Sequence, residues 1–415
     1  MNIFRKTAIA ASIYLIGTAT FAGSVDANVN VFGASSALTI NATVTPTNDF
    51  VSNNSKLYLA IVQGADVYFY SDTAGFVPYA GGLGALTGSN PAEAPPVRSI
   101  TKGAESITLT GDARGVKGAD VYVGYGASFA ELISSARYTK LYTMITRPED
   151  LTLKCITDYS QSTGSWNAPF INKAVSPNYD FEINAWNSKG LVGWQECAAA
   201  TIASDASNVT ARWTWDYGAN PLEPQWPKAA PTIGYGRYPG NTDVSPNMPT
   251  QIGTTSTMAV NWDITLSTTG TTNLMLEAWI SSDGKSPSLV DPKNTTHTNM
   301  AVWFNATGKY SRWHEWHRYE VVTIAGKEYE FYYQLPVQKI ETSPGVFVDG
   351  FKQSLLYIAK VPQFKGTVNY MDFVNHSKSR GLLKDTDFIE YIDFGTEIGD
   401  GVGELRVNSY NVTVH

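Results

Sequence analysis

Between Leu274 and Ile280 the chain alternates with a period of two, which is the signature of a strand buried on one face. Leu274, Leu276, Ala278 and Ile280 form a plain core face, so Met275, Glu277 and Trp279 point the other way. The stretch Thr298 to Asn305 repeats the pattern: Asn299, Ala301, Trp303 and Asn305 fall opposite Met300, Val302 and Phe304. In both stretches the mixed face combines flat rings with amides or a carboxylate, while the other face is purely apolar. Few segments show a helical period, and 35 Gly and 20 Pro supply turns. The chain is therefore expected to be all-β. From Leu151 to Pro362 strands follow at short spacing, and one late helix is expected between Gly366 and Gly381. In it Val368, Met371 and Val374 would share a face and Gly381 would be the stop. Such a run points to a β-sandwich whose concave sheet makes a cleft.

The 415 residues exceed one ordinary domain. Met1 to Ala22 has the layout of a secretory signal: Arg5 and Lys6, an apolar run from Ala8 to Ile16, then small residues. Cleavage is expected after Ala22, or as late as Ala27. Residues 28–145 read as a small N-terminal β-sandwich of unknown role, with strands at Leu57–Val62, Val67–Tyr70, Ser106–Thr110 and Asp120–Tyr125 and one short helix at Phe129–Tyr138. A seam at Arg147 to Asp150 opens a second domain, residues 151–415. No stretch approaches the length of a membrane span, so an exported protein, extracellular or periplasmic, is expected, with no membrane partner and as a monomer. A net charge of −7 with well-mixed signs gives no electrostatic support to a nucleic-acid partner. Cys155 and Cys197 are the only cysteines, and in an exported chain such a pair points to a disulfide. Two thiols 42 positions apart without a nearby His/Cys pair do not make a zinc site, and neither metal nor cofactor is expected.

Near the C-terminus, Asp393-Phe394-Gly395-Thr396-Glu397 ends one strand and precedes another, Leu405 to Val414. Alternation places Tyr391, Asp393, Gly395 and Glu397 on one face. A carboxyl at a strand end, walled by aromatics and glycines, can be held protonated, as a general acid for glycoside cleavage must be. Glycan sites also want flat rings for the apolar face of a sugar and amides or carboxylates for its hydroxyls, which the Glu277 and Asn299 strands offer.

Residues from about Cys155 to His415 resemble glycoside hydrolase family 12. The likeness is carried by Glu182-Ile183-Asn184-Ala185-Trp186-Asn187, Arg212-Trp213-Thr214-Trp215, Gly236-Arg237-Tyr238-Pro239, Asn273 to Ile280, Gly326 to Glu330, Phe394-Gly395-Thr396-Glu397 and the closing strand, in that order, with the cysteine pair around the first. It implies a β-jelly-roll, a two-sheet sandwich with a concave cleft and one helix, acting on β-1,4-glucan or xyloglucan. It further implies Glu397 as acid/base, Glu277 as an assisting carboxylate, Trp186 as a ring stacked on sugar, and a polysaccharide as substrate or ligand. The family's nucleophile lies in a Glu-x-Met-x-Trp strand, which here reads Asn299-Met300-Ala301-Val302-Trp303, with Asn299 in place of the nucleophile. An amide is neutral and cannot form the glycosyl ester. Either Glu277 takes over as the second carboxylate or the chain binds glycan without cleaving it.

Asn184 and Asp393 are further candidates for holding sugar hydroxyls or orienting Glu397, with Trp279 and Trp303 as cleft rings. Arg312-Trp313-His314-Glu315-Trp316-His317 reads as an aromatic rim over the cleft, with a metal contact by His314 and His317 the lesser reading.

Overall fold

The computed structural model describes residues 25–46, 55–86, 91–100, 103–157, 178–185, 187–188, 191–203, 208–218, 227–237, 245–285, 296–312, 317–334, 339–343, 346–349 and 353–415. The chain forms two compact units that divide between Ile145 and Thr146. The first 24 residues lie outside the described set. Among the described residues no helix is long and apolar enough to cross a membrane.

The first unit is built on two sheets. Asp26–Phe32, Leu38–Thr45 and Glu105–Gly111 make a three-stranded antiparallel sheet. Lys56–Gln63 is the middle of a larger sheet with Asp66–Ser71, Gly75–Pro78, Asp120–Gly126 and Tyr138–Thr143, and Arg98–Ser99 pairs with its first two residues. Alternation along Lys56–Gln63 splits the packing. Leu57, Leu59 and Ile61 join the core formed with Leu38, Ile40 and Val44, while Tyr58 and Ala60 pack on the opposite side against Phe69 and Phe129. The short helix runs Phe129–Ser134, with Ser128 capping it by accepting the Glu131 N–H.

The second unit is a two-layer sandwich. One sheet runs, in spatial order, Lys154–Ile156, Gln195–Ile202, Val209–Asp216, Val402–Val414, Met258–Thr268 and Lys365–Asn369. The other runs Asp180–Glu182, Thr232–Gly236, Phe388–Gly395, Asn273–Ser281, Thr296–Ala306, Gln353–Ala359, Lys327–Gln334 and His317–Ile324, with Thr250–Gln251 added beside Phe388–Gly395. Leu274, Leu276, Ala278 and Ile280 are buried in the core between the sheets, as are Met300, Val302 and Phe304. Aromatic pairs span the two layers: Trp262 stacks on Phe304 at 4.2 Å, Trp213 on Phe181 at 4.9 Å and Tyr410 on Phe394 at 5.0 Å. Such rings carry large buried area, which is what holds two sheets face to face. Cys155 and Cys197 stand directly opposite on neighbouring strands and are joined by a disulfide.

The late helix is shorter than the sequence suggests. It covers Tyr370–Ser379, because Asn369 caps it by accepting the Met371 N–H. Val368 therefore belongs to the preceding strand, opposite Val260, and not to the helical face with Met371 and Val374. Gly381 follows the helix with φ +72°, the left-handed conformation that ends helices. Tyr370 reaches from the helix to the far sheet, its hydroxyl donating to the Met300 carbonyl at 2.6 Å.

One glycine positions the far sheet's outer face. Gly234 pairs with Asp393, and a Cβ there would lie 1.6 Å from the Tyr391 hydroxyl, so the fully buried Tyr391 ring lies over it. Gly234→Ala is expected to destabilise the protein by about 1–3 kcal/mol, the usual cost of forcing a group into filled space. Denaturant unfolding reads this out, and an unchanged midpoint would mean that the ring is free to move.

Candidate active site

The strand pairing on either side of Asn273–Ser281 sorts the outer face of the larger sheet into rows. Gly395, Met275 and Trp303 form one row across three strands; Asp393, Glu277 and Ala301 form the next; Tyr391, Trp279 and Asn299 form the third. The apolar end of this face is a small cluster of Met275, Ala301, Trp303, Tyr310, Tyr332 and Leu356. Of the nine residues of Asn273–Ser281, eight are buried and only Glu277 reaches solvent. A central strand has no free edge, so Glu277 can be reached only through the open face.

Both oxygens of Glu277 accept hydrogen bonds. Asn299 Nδ2 donates to Oε1 at 2.5 Å and Trp279 Nε1 to Oε2 at 3.3 Å. Burial pushes this carboxyl up, and the two N–H donors pull it back toward the ionised form. Asp393, directly opposite Glu277, is 5% exposed, and its Oδ1 has no hydrogen-bond partner among the described residues. Burial drives its carboxyl well above the ordinary range, and the charges of Glu277, Glu182 and Glu397 add to the effect. Glu182 is 2% exposed and is pushed up to about 8, by burial and then by Asp180. Of these carboxyls, only Glu277 has both oxygens held by N–H donors among the described residues, which opposes the upward push of burial.

Glu397 follows the Phe388–Gly395 strand and is half-buried. Burial and then the charge of Glu277 push its carboxyl up to about 8, against a hydrogen bond from Asn273. Asn273 Nδ2 donates to Glu397 Oε2 at 2.6 Å, and the Glu397 N–H donates to Asn273 Oδ1 at 2.7 Å. Thr272 Oγ1 donates to the Glu397 carbonyl at 2.8 Å, fixing the main chain as well. Burial first, and then the charges of Glu397 and Asp400, push the Tyr310 hydroxyl up, and its ring contacts Trp303 at 5.4 Å. The site thus sets Glu397, its carboxyl pushed up to about 8, on one face with Glu277, whose two N–H donors oppose the upward push of burial.

The structure brings Glu397, Glu277, Asp393, Trp279, Trp303 and Asn299 to this face. It does not set Asn299 against Glu397. Asn299 lies opposite Trp279, six residues along the strand from Asn273 and so on the order of 20 Å away at strand spacing. The amide that meets Glu397 is Asn273, which shares the side-chain parity of Met275, Glu277 and Trp279; that parity was the available signal. Trp279 and Trp303 are each 5% exposed, packed against Tyr391 and Tyr310, and act as walls rather than open platforms. Asn184 is half-buried with φ +49°, and its carbonyl accepts the Ala230 N–H. Trp186, Trp313, His314, Glu315 and Trp316 lie outside the described residues. Among the described residues no group of three or more His, Cys, Asp or Glu is arranged to hold a metal ion.

No family profile matches the sequence, and no curated protein does. Among solved structures, the chain is similar to a native family 12 xyloglucanase from Bacillus licheniformis, at 21% identity over 58% of this chain and 94% of that one, with a TM-score of 0.47. It is also similar to endoglucanase Cel12A from Rhodothermus marinus (18% identity, 64% and 99% covered, TM-score 0.46) and to Trichoderma harzianum endoglucanase 3 from family 12 (14% identity, 63% and 98% covered, TM-score 0.46). The likeness is one of chain path at low identity, and the site is read from its own residues.

Keeping buried carboxyls protonated ties folding to pH. Glu182 and Glu397 titrate near 8 when folded, against an ordinary value of 4.5. The folded state therefore holds more protons than the unfolded chain between those values, and stability falls as pH rises through that window. Each such group contributes about 1.4 kcal/mol per pH unit to the slope. Thermal midpoints should be higher at pH 5 than at pH 8.5, and Glu182→Gln, neutral at every pH, should flatten the decline. An equal decline in the variant would show that Glu182 is ionised in the fold.

Proposed function

We propose that the Thr146–His415 unit cleaves a β-1,4-linked glucan or xyloglucan, with Glu397 as the general acid and Glu277 as the second carboxylate. The observation that carries this reading is the contrast in hydrogen bonding: Glu397 accepts one N–H, from Asn273, while both oxygens of Glu277 accept N–H donors, from Asn299 and Trp279. Glycoside cleavage asks for a proton donor to the leaving oxygen and an anion able to attack or to activate water. Glu277 stands four residues along its strand from Asn273, the partner of Glu397, or roughly 13 Å between rows at strand spacing. That spacing is wider than a retaining pair allows and favours an inverting outcome, with a water between the two carboxyls. Action outside the cytoplasm is supported by the signal-like first 22 residues and by the Cys155–Cys197 disulfide.

A second reading, binding of the same glycans without turnover, is favoured by the asparagines. Each cleft carboxylate accepts from a neighbouring amide, Glu397 from Asn273 and Glu277 from Asn299, and Asn273-Leu274-Met275 reproduces the start of the Glu-x-Met-x-Trp pattern with Asn at its head. Such pairs suit the holding of sugar hydroxyls.

Reducing-end release from xyloglucan and mixed-linkage β-glucan separates the two. Hydrolysis is expected to fall away above pH 8 as Glu397 ionises, and Glu397→Gln and Glu277→Gln should each lower kcat by about a hundredfold or more. Glycan retention on an affinity gel with no product from the wild type would decide for binding.

A further inference from the structure

Asn273 is fully buried beneath the cleft face and makes two bonds to one residue. Its Oδ1 accepts the main-chain N–H of Glu397, and its Nδ2 donates to Glu397 Oε2. A main-chain N–H can only donate, so the amide has one workable orientation: oxygen toward the backbone, NH2 toward the carboxyl. An NH2 group in turn can only donate, so Oε2 must accept. A protonated carboxyl carries a single O–H, and its carbonyl oxygen is the better acceptor. The proton is thereby excluded from Oε2.

We propose that Asn273 is a positioning residue that reserves Oε2 of Glu397 as an acceptor and so keeps the proton of that acid on Oε1. Among the described residues the hydrogen bond to this carboxyl goes to Oε2, and the residue is half-buried rather than sealed, so the proton is held at the oxygen that a ligand can meet. The Thr272 bond to the Glu397 carbonyl and the bond between the Thr272 and Thr396 hydroxyls at 2.5 Å hold the backbone on both sides, so the carboxyl cannot turn to exchange its two oxygens without breaking the Asn273 pair. The same amide resists over-protonation, since its N–H favours the ionised form and keeps the acid from rising further. The catalytic meaning of the arrangement rests on Glu397 being the proton donor of the proposed hydrolysis; the placement of the proton does not.

The test compares the wild type with Asn273→Asp, which keeps an oxygen for the Glu397 N–H but replaces the donor with a second acceptor. Carbon-13 titration of the glutamate carboxyls follows Glu397 directly, without any substrate. In the variant the two carboxyls share one proton between Oε2 and the new side chain, and that proton should persist at least about one pH unit beyond the wild-type midpoint. An unchanged or lowered midpoint in a folded variant would overturn the proposal. In the wild type alone, the side-chain NH2 resonances of Asn273 should move with the midpoint of Glu397, and their failure to titrate would overturn it equally, whether or not the variant folds. Where glucan hydrolysis is measurable, Asn273→Asp should lower kcat by about tenfold or more with little change in KM and move the alkaline limb upward. Absence of hydrolysis in both proteins alongside the carboxyl shift would count against the proposed reaction and leave the Asn273 assignment standing.

Discussion

The pairing of Asn273–Ser281 with a strand on each side is the constraint on which the rest of the second unit depends. Because side chains alternate, one register decides two things together: which residues enter the core and which stand on the outer face. Moving the strand by one residue would drive Glu277 and Trp279 into the space filled by Leu276 and Ala278. The aromatic contacts between the layers, Trp262 on Phe304 and Tyr410 on Phe394, belong to the same solution, since Phe304 and Phe394 lie on strands whose opposite face carries the carboxyl rows.

Gathering Glu182, Asp393, Glu277 and Glu397 in one neighbourhood works against ionising all of them. Water is scarce there, so charge must be limited or paired. The fold limits it. It supplies N–H donors to Glu277 from Asn299 and Trp279 and leaves Asp393 and Glu182 each with an oxygen that has no described partner. Protonation is thus assigned by geometry, with donors placed where a negative charge is to stay. Surface ion pairs such as Arg212–Glu404 and Lys365–Asp263 lie on the other sheet and have no share in this.

Much of this was legible in the chain because period-two alternation is a local property. The core faces of Leu274–Ile280 and Met300–Phe304 and the outward set Tyr391, Asp393 and Gly395 could be read residue by residue. What could not be read was which residue of one strand stands opposite which residue of another. That is set by turns and bulges, such as the offsets at Leu274/Met275 and Ile280/Ser281. Motif spacing put Asn299 in the place of the nucleophile, whereas the strand pairing sets Asn273 beside the acid. Cap chemistry explains the other difference: Asn369 starts the helix after Val368 rather than before it. The burial of Trp279 and Trp303 was likewise beyond period-two reading, because Tyr391 covers the first from a strand distant in sequence and Tyr310 covers the second from the helical turn just after its strand.

The bond from Tyr370 to the Met300 carbonyl ties the single long helix of the second unit to the strand that carries Asn299. Asn299 is the neighbour of Met300, and its amide helps to keep Glu277 anionic. A change in the packing of the helix therefore has a route of one bond and one residue of main chain to the amide that holds that glutamate. Related chains could alter the basicity of the cleft by repacking Phe373, Val374 or Tyr370, with every residue in the trough left untouched.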